Sequence, residues 1–278
     1  MLLVIDCGNT NTVFAVYDDG VGGDSDAAMG VWRTATAPGR TADEYAVWLI
    51  QLLALNGIDR KQIDAIVLAT VVPATLFNLK TLCRKHFSID PLVVGESGVE
   101  LGLEVRLDRP EEVGADRLVN AIAAHKIYGG PLIVVDFGTA TTFDVVEADG
   151  GYAGGIIAPG INLSLDALYM AAAQLPKIAI KPPEKGAGDN SPIPVIGKNT
   201  RQAMHSGIFW GYVGMIEGLV TRILAETGTP MTVIGTGGLA ALFSDWTSAI
   251  DIVDDDLTLA GLRYVHQMNA LSNGTRTA

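Results

Sequence analysis

One phrase of sequence occurs twice in this chain. Residues 2–12 read LLVIDCGNTNT, and residues 132–142 read LIVVDFGTATT. Extended without a gap to residues 20 and 150, the two stretches share eight identities over 19 positions. The identical pairs are Leu2/Leu132, Val4/Val134, Asp6/Asp136, Gly8/Gly138, Thr12/Thr142, Val16/Val146, Asp19/Asp149 and Gly20/Gly150. A common preference for strands does not produce so many identities, so the repeat indicates an internal duplication and a fold built from two similar halves.

The predicted elements repeat in the same order as the phrase. In the first half, apolar runs predict strands over residues 2–6, 12–17 and 31–36, followed by a helix, a strand and a helix. The second half again opens with three strands and continues with helices and strands. We therefore expect an α/β fold in which two similar lobes face a cleft.

Two helices and one loop are well marked. Residues 41–57 begin with a capping box of Thr41 and Glu44 and end at a glycine, which predicts a helix. Residues 200–228 are predicted to form one long helix. The segment 177–199, which is rich in proline and glycine, is predicted to be a mobile loop.

Charge and cysteine content exclude several classes of protein. The 278-residue chain carries a net charge of −12, which opposes binding to nucleic acid or to an anionic membrane. Two cysteines, Cys7 and Cys83, form no disulfide framework and favour a reducing cytoplasm. The chain shows no secretory signal and no run of about 18 uncharged apolar residues, so we expect a cytoplasmic protein without a membrane span.

The turn after the first strand has groups suited to a phosphate. Gly8 lets the backbone come close to a ligand, and successive N–H groups of the polar residues that follow can surround phosphate oxygens. Asp6, at the end of the strand, can hold Mg²⁺ directly or through water. One such turn alone is equally well read as an ordinary β-hairpin. Because two copies occur, we favour a nucleotide whose phosphates are held between them.

A second polar segment, EEVGADR, precedes the apolar helix LVNAIAAH. Asp116 can accept a hydroxyl proton, and Arg117 can hold a carboxylate or a phosphate. The alternative is that Asp116 merely caps the helix, and the segment alone favours this reading.

Other motifs are less specific. Gly235, Gly237 and Gly238 lie between a strand and a helix, which is weak support for dinucleotide binding. The four histidines show no metal-ligand spacing. Four glycines share one face of the long helix, for which we favour packing within the lobe over a subunit interface: Gly207, Gly211, Gly214 and Gly218.

Taken in order, these motifs resemble those of one family. The chain resembles the superfamily of acetate and sugar kinases, heat-shock chaperones and actin, and more narrowly it is similar to the type III pantothenate kinases. The matching motifs are the DxGNT turn at 6–10, GADR at 114–117, DFGTATT at 136–142, GGIIAPG at 154–160, NTRQAMHSG at 199–207 and IGTGG at 234–238.

The resemblance implies a fold, an activity and a set of site residues. It implies two ribonuclease-H-like (actin-like ATPase) lobes around a nucleotide cleft: residues 1–118, residues 119–256, and a C-terminal helix and tail, 257–278, that packs back on the first lobe. It implies phosphorylation of pantothenate by ATP to 4′-phosphopantothenate, the first step of coenzyme A biosynthesis. The implied ATP contacts are Asp6, Cys7, Gly8, Asn9, Thr10, Asn11, Thr12, Val13 and Thr139. The implied substrate contacts are Leu107, Gly114, Ala115, Asp116, Arg117 and Thr200.

Further roles follow from the same resemblance. Asp116 is the implied catalytic base, and Asp136 is the implied ligand of a monovalent cation, K⁺ or NH₄⁺, while Asp6 holds Mg²⁺ through water. The implied assembly is a homodimer with its substrate site near the subunit interface. The chain departs from the family pattern at Leu107, where many members have a substrate-contacting tyrosine.

Two other functions compete with this one. The first is another small-molecule kinase of the superfamily, against which the GADR motif and the short chain speak. The second is a catalytically inactive regulator that retains the fold. Intact Asp6, Asp116 and Asp136 argue against a regulator, as does the acidic net charge.

Overall fold

The computed structural model of the protein describes residues 1–18, 27–171, 175–176, 178–182 and 194–276. The chain divides into two compact units. Unit 1 comprises Met1–Tyr128 together with Asp256–Ala278, and unit 2 comprises Gly129–Asp255. The division falls ten residues beyond the boundary expected at residue 118, because the helix that begins at Ala115 packs within unit 1.

Unit 1 contains a five-stranded mixed sheet with helices on both faces. Its elements are β1 (Leu2–Cys7), β2 (Asn11–Tyr17), β3 (Gly30–Ala35), α1 (Ala42–Leu55), β4 (Ala65–Thr70), α2 (Pro73–Leu82), β5 (Leu92–Val93), α3 (Ala115–Tyr128) and the C-terminal helix α7 (Leu257–Arg276). A π-helical turn, Cys83–Phe87, extends α2. The strand order is β3-β2-β1-β4-β5, in which β2 is antiparallel to its neighbours and β4 is parallel to both of its own.

Unit 2 repeats this arrangement strand for strand. Its elements are β6 (Leu132–Phe137), β7 (Ala140–Val146), β8 (Tyr152–Pro159), α4 (Ile161–Ala171), α5 (Thr200–Thr227), β9 (Thr232–Thr236), α6 (Ala240–Ser244) and β10 (Ile252–Val253). The strand order is β10-β9-β6-β7-β8. It matches the first sheet read from its opposite edge, β5-β4-β1-β2-β3, so that β6 corresponds to β1. The α/β fold with two duplicated lobes is therefore confirmed. The short strands β5 and β10 were not predicted, because two residues carry too little periodicity. The helix expected after the glycine motif at 235–238 is α6.

The first strand of each unit is buried on both faces, which explains why it reads as a continuous apolar run. In β1, Leu3 and Ile5 pack with α1 and α2, and Leu2 and Val4 pack with α3 and α7. Each fully buried side chain of this size contributes about 1.5–3 kcal/mol to folding. The helix α1 starts as predicted, with the capping box of Thr41 and Glu44 formed.

The two hairpin turns differ in length. The strands β1 and β2 pair Cys7 with Thr12. The strands β6 and β7 pair Phe137 with Thr141. The gapless sequence alignment, which matches Thr12 with Thr142, is therefore wrong beyond the turn, because the first turn contains one more residue.

The extra residue does not change which face of each strand points into the core. Beyond the turn the structural counterparts are 129 positions apart, so Phe14 corresponds to Phe143. Both rings are fully buried, each in the core of its own unit. The difference is confined to residues 8–10 in the first turn and 138–139 in the second.

The helix α5 buries one side in the core of unit 2 and leaves its glycine face uncovered. A Cβ atom added at Gly207, Gly211 or Gly214 would meet no heavy atom of the described chain within 4 Å. Packing of this face within the lobe, which the sequence favoured, is therefore wrong. By length and composition α5 is also the one described helix that could cross a membrane, a test that long core helices pass as well. Its side chains Phe209, Val213 and others belong to the core of unit 2.

Candidate active site

The polar turn of unit 1 lies at the carboxyl ends of two parallel strands, β1 and β4. Asp6 is half-buried at the end of β1, and Asn9, Thr10 and Asn11 are exposed beyond it. Gly8 N–H donates to the carbonyl of Asn11 (3.0 Å), which closes the turn. In an open α/β sheet, ligands bind at this end of the strands.

Two of the predicted ATP-binding residues lie behind the turn. Cys7 and Thr12 are fully buried, and the Thr12 hydroxyl donates to Cys7 Sγ (3.4 Å). Thr12 Oγ1 also lies 2.9 Å from Thr36 Oγ1, and Cys7 Sγ lies 3.3 Å from Thr75 Oγ1. Cys7 and Thr12 support the turn from the core side, whereas the exposed residues 9–11 present the surface that a ligand can reach.

The segment GADR forms the start of α3. Asp116 is the second residue of this helix, and its Oδ1 accepts the N–H of Arg117 (2.7 Å). The carboxylate thus satisfies one amide that the helix leaves without a partner, so the predicted capping role is met in part. Burial raises the pKa of Asp116, although the N–H and the charge of Arg117 act in the opposite direction.

Gly114 makes room for this carboxylate. A Cβ at Gly114 would lie 2.6 Å from Asp116 Oδ1 and 3.4 Å from Val71 Cγ1. Val71 N–H in turn donates to the carbonyl of Cys7 (3.1 Å). The GADR segment and the polar turn therefore lie at the same end of the sheet in unit 1. Val71, the residue directly after β4, lies beside both of them.

Arg117 is half-buried beside this carboxylate. Its Nη2 atom is buried and has no hydrogen-bond acceptor among the described residues. Arg117 does interact elsewhere within the protein. Leu107, also half-buried, offers no hydroxyl.

In unit 2, Asp136 occupies the place that Asp6 has in unit 1. Gly237, directly after β9, has φ of +86° and is close to Asp136. A Cβ on Gly237 would lie 2.6 Å from Asp136 Oδ1 and 2.8 Å from the carbonyl oxygen of Phe137. The same Cβ would lie 2.9 Å from the backbone nitrogen of Phe137, so two oxygen atoms and one nitrogen atom border a space that only glycine leaves open. The sequence did not connect the glycine motif at 235–238 with Asp136.

The two other predicted contacts of unit 2 are exposed. Thr139 lies in the short second turn, and Thr200 is the first residue of α5. Asn199 caps this helix by accepting the N–H of Gln202 (3.0 Å). A cavity of about 450 Å³ borders the start of α5 and is lined in part by the cationic side chains of Lys181 and Arg201. Part of the predicted mobile loop, residues 183–193, is outside the described residues.

Metal binding at these turns does not rest on a cluster of protein ligands. In the described parts of the chain, no group of three or more His, Cys, Asp or Glu side chains could hold a metal. One carboxylate beside exposed backbone and hydroxyl groups instead fits a Mg²⁺ ion that takes its other ligands from water and substrate phosphates.

Comparison with known proteins identifies a family and similar sequences. The model of the family described as type III pantothenate kinase matches residues 2–222. The chain is 60% identical over 270 residues to a type III pantothenate kinase of Paramagnetospirillum magneticum, which covers 97% of this chain and 98% of the relative. It is also 60% identical over 269 residues to one of Rhodospirillum rubrum, which covers 97% and 99%.

Solved structures with low sequence identity share the fold. A candidate Baf family transcriptional activator of Campylobacter jejuni has a TM-score of 0.57 at 19% identity, covering 96% of this chain and 98% of the other. A candidate 2-dehydro-3-deoxygalactonokinase of Sinorhizobium meliloti has a TM-score of 0.56 at 14% identity, covering 96% of each chain. These likenesses concern the fold alone.

Proposed function

This chain belongs to the type III pantothenate kinase family, and from that premise we infer that it phosphorylates pantothenate with ATP and a divalent metal. The product would be 4′-phosphopantothenate, the first intermediate on the way to coenzyme A. The observation that carries the inference is the meeting of Asp116 with the polar turn at one end of the sheet of unit 1. Phosphoryl transfer depends on positioning and charge stabilisation, which such an arrangement can provide.

The exposed turn is proposed to bind the phosphates of ATP. Backbone N–H groups of residues 9–11 donate to phosphate oxygens, and Gly8 allows the close approach. Asp6 would hold Mg²⁺ through water, and the ion, when bound, neutralises negative charge on the phosphates. Cys7, Thr12 and Val13 act by keeping this turn in shape.

Asp116 is proposed to orient the primary hydroxyl of pantothenate and to accept its proton. A raised pKa makes the carboxylate a better base than an ordinary aspartate. Gly114 is part of the site because any larger residue would displace this carboxylate.

Arg117 is proposed to bind the carboxylate of pantothenate. A guanidinium matches a carboxylate in charge and geometry, which also answers how an acidic protein can bind an anion. Leu107 would provide an apolar contact in place of a hydroxyl. Thr200 and the cations Lys198 and Arg201 at the start of α5 are the further candidates for anion contact.

Asp136 and the carbonyl of Phe137 would hold K⁺ or NH₄⁺ beside Gly237. The ion, when bound, adds positive charge near the second turn, where Thr139 is proposed to contact ATP. We further propose a cytoplasmic protein that binds neither nucleic acid nor membrane, in keeping with its net charge of −12.

The activity is tested by release of ADP from Mg²⁺ and ATP, with and without pantothenate, in K⁺ and in Na⁺ buffer. We expect release that requires pantothenate and is faster in K⁺ than in Na⁺. Replacing Asp136 with asparagine should abolish the difference between the two buffers, because the cation loses its charged ligand.

The matched control is Asp149→Asn, an exposed aspartate of unit 2, which should keep the K⁺ dependence. Folded wild-type protein that releases no ADP in either buffer would contradict the kinase and favour the regulator. Equal rates in K⁺ and Na⁺ would contradict the cation site alone.

A homodimer is proposed to cover the glycine face of α5. Two observations support it: three of these glycines border open space, and only 33% of the most apolar stretch of the helix is buried within the chain. Apolar surface of this kind marks interfaces between proteins.

We expect Gly211→Leu to convert the dimer to a monomer without unfolding it. A Cβ at this position meets no heavy atom of the described chain within 4 Å, and the larger side chain blocks close approach of a partner. Sedimentation velocity at micromolar concentration measures the change. Ala54→Leu, an exposed position on α1, should leave the dimer intact. A wild-type monomer, or a Gly211→Leu protein that is still dimeric, would refute this interface.

A further inference from the structure

Thr36, the residue directly after β3, forms hydrogen bonds with the first turn. Its N–H donates to the carbonyl of Thr10 (2.9 Å), and its hydroxyl donates to the carbonyl of Gly8 (2.7 Å). The same hydroxyl oxygen lies 2.9 Å from Thr12 Oγ1. One residue therefore fixes the direction of two carbonyl groups in a turn of three residues.

The direction of these carbonyls decides where the neighbouring amides point. The peptide bonds after Gly8 and Thr10 are trans, and in a trans peptide the N–H points opposite to the carbonyl of the same unit. The N–H groups of Asn9 and Asn11 therefore point away from Thr36. Both residues are exposed, and successive backbone amides of such a turn can surround phosphate oxygens.

The second turn has no equivalent of the Thr36 side chain. Ala35 pairs with Asn11, and Pro159 pairs with Ala140, so Gly160 is the structural counterpart of Thr36. Its N–H donates to the carbonyl of Thr139 (3.1 Å) as that of Thr36 does to Thr10.

Gly160 could not carry a side chain where it stands. A Cβ there would lie 2.2 Å from the carbonyl oxygen of Thr139 and 2.7 Å from that of Gly138. The longer first turn makes room for a hydroxyl, and the shorter second turn excludes one. The hydrogen bond from a side-chain hydroxyl to a turn carbonyl is therefore found in the first turn and not in the second.

We propose that Thr36 is a positioning residue for ATP: its hydroxyl holds the Gly8 carbonyl so that the amides of Asn9 and Asn11 face the phosphates. The inference rests on the proposed function, because it names a residue that prepares the same nucleotide site. Thr36 itself acts through the turn and touches no substrate.

The test is the affinity for a non-hydrolysable ATP analogue with Mg²⁺, measured by calorimetry, in Thr36→Val and Thr36→Ser. Valine keeps the shape of threonine and removes the hydroxyl, so the Kd should rise about tenfold, the size expected for one hydrogen bond. Serine keeps the hydroxyl and should stay within about twofold of wild type. In the kinase assay, the KM for ATP should rise in Thr36→Val while the KM for pantothenate is unchanged.

Thr75→Val is the matched control. Thr75 is fully buried in the same group of hydroxyls and contacts Cys7 Sγ, but in the described contacts it bonds to no backbone atom of residues 8–10. A purely structural role predicts the same Kd in Thr36→Val and Thr75→Val, and a positioning role predicts that only the former is weakened.

Several results would overturn the inference: an unchanged Kd in Thr36→Val, equal losses in both valine variants, or a Thr36→Ser protein as weak as Thr36→Val. Should Thr36→Val fail to fold, the serine variant and Thr36→Ala decide in the same way. A wild-type protein that binds the analogue but does not phosphorylate pantothenate would contradict the proposed function and leave this comparison valid. A wild-type protein that binds no nucleotide would overturn both.

Discussion

Asp116→Asn is expected to lower kcat for pantothenate phosphorylation by about 10²–10⁴-fold, the usual contribution of general acid–base catalysis. Asparagine keeps the shape of the side chain, and its Oδ1 can still accept the N–H of Arg117. The start of α3 should therefore be preserved, and the loss should come from the missing proton acceptor. Steady-state kinetics with saturating ATP measures it, and Asp108→Asn, an exposed aspartate before the same helix, is the control.

The pH dependence of kcat/KM tests the same residue. The net effect of burial raises the pKa of Asp116 above its ordinary value of 3.8. As the pH falls through that raised pKa, the carboxylate takes up a proton and can no longer accept one, so the acid limb of the profile should lie above the ordinary value. Wild-type turnover in Asp116→Asn, or an acid limb at the ordinary aspartate value, would refute the assignment.

The sign of the stability effect is opposite to that of activity. Because the folded-state pKa exceeds the unfolded one, the folded protein binds this proton more tightly. The stabilisation is present below the unfolded pKa and is lost as the pH rises through the folded pKa. Asp116→Asn, which cannot ionise, should therefore be at least as stable as wild type at neutral pH.

Gly261→Ala should destabilise unit 1 by roughly 1–3 kcal/mol, the range found for overpacked sites, or by more. A Cβ at Gly261, on α7, would lie 2.1 Å from the carbonyl oxygen of Val119 on α3. A backbone atom cannot rotate aside, so the two helices must separate. Because Asp116 lies in the first turn of α3, kcat should fall together with the unfolding midpoint.

Chemical denaturation and turnover measure the two effects. The control is Gly39→Ala: a Cβ at Gly39 would meet nothing within 4 Å, and no positive φ is recorded there. This control should change the free energy of unfolding by less than about 0.5 kcal/mol. A Gly261→Ala protein as stable as wild type would show that the helices can adjust at no cost.

The sequence was sufficient to predict the elements whose signals are local. The capping box of Thr41 and Glu44 formed as expected, because both partners lie within four residues of each other. The duplication was visible because β1 and β6 are buried on both faces and so retain apolar residues at each of their first four positions. Local patterns of this kind predicted the fold class.

What escaped prediction depends on contacts between distant segments. The gapless alignment matched Val16 with Val146, although Val145 is the structural counterpart, because adjacent valines hide a shift of one residue. Thr36 gave no signal, and the glycine motif did not connect Gly237 with Asp136, since each of the two residues acts on a turn that lies far away in sequence. The glycine face of α5 was read as core because spacing alone does not tell which surface covers it.

The two turns cannot be exchanged between the halves of this protein. Grafting the first turn onto β6 would bring the longer loop against Gly160, whose backbone already sits against the short one. The reverse graft would remove the longer loop, whose Gly8 carbonyl accepts the hydrogen bond of the Thr36 hydroxyl. A hairpin tip can gain a residue without reversing the faces of its strands, and here Phe14 and Phe143 both still point into their cores. The hairpin turn is thus a part of a repeated lobe that can change to bind a new ligand while the strands and helices keep their arrangement.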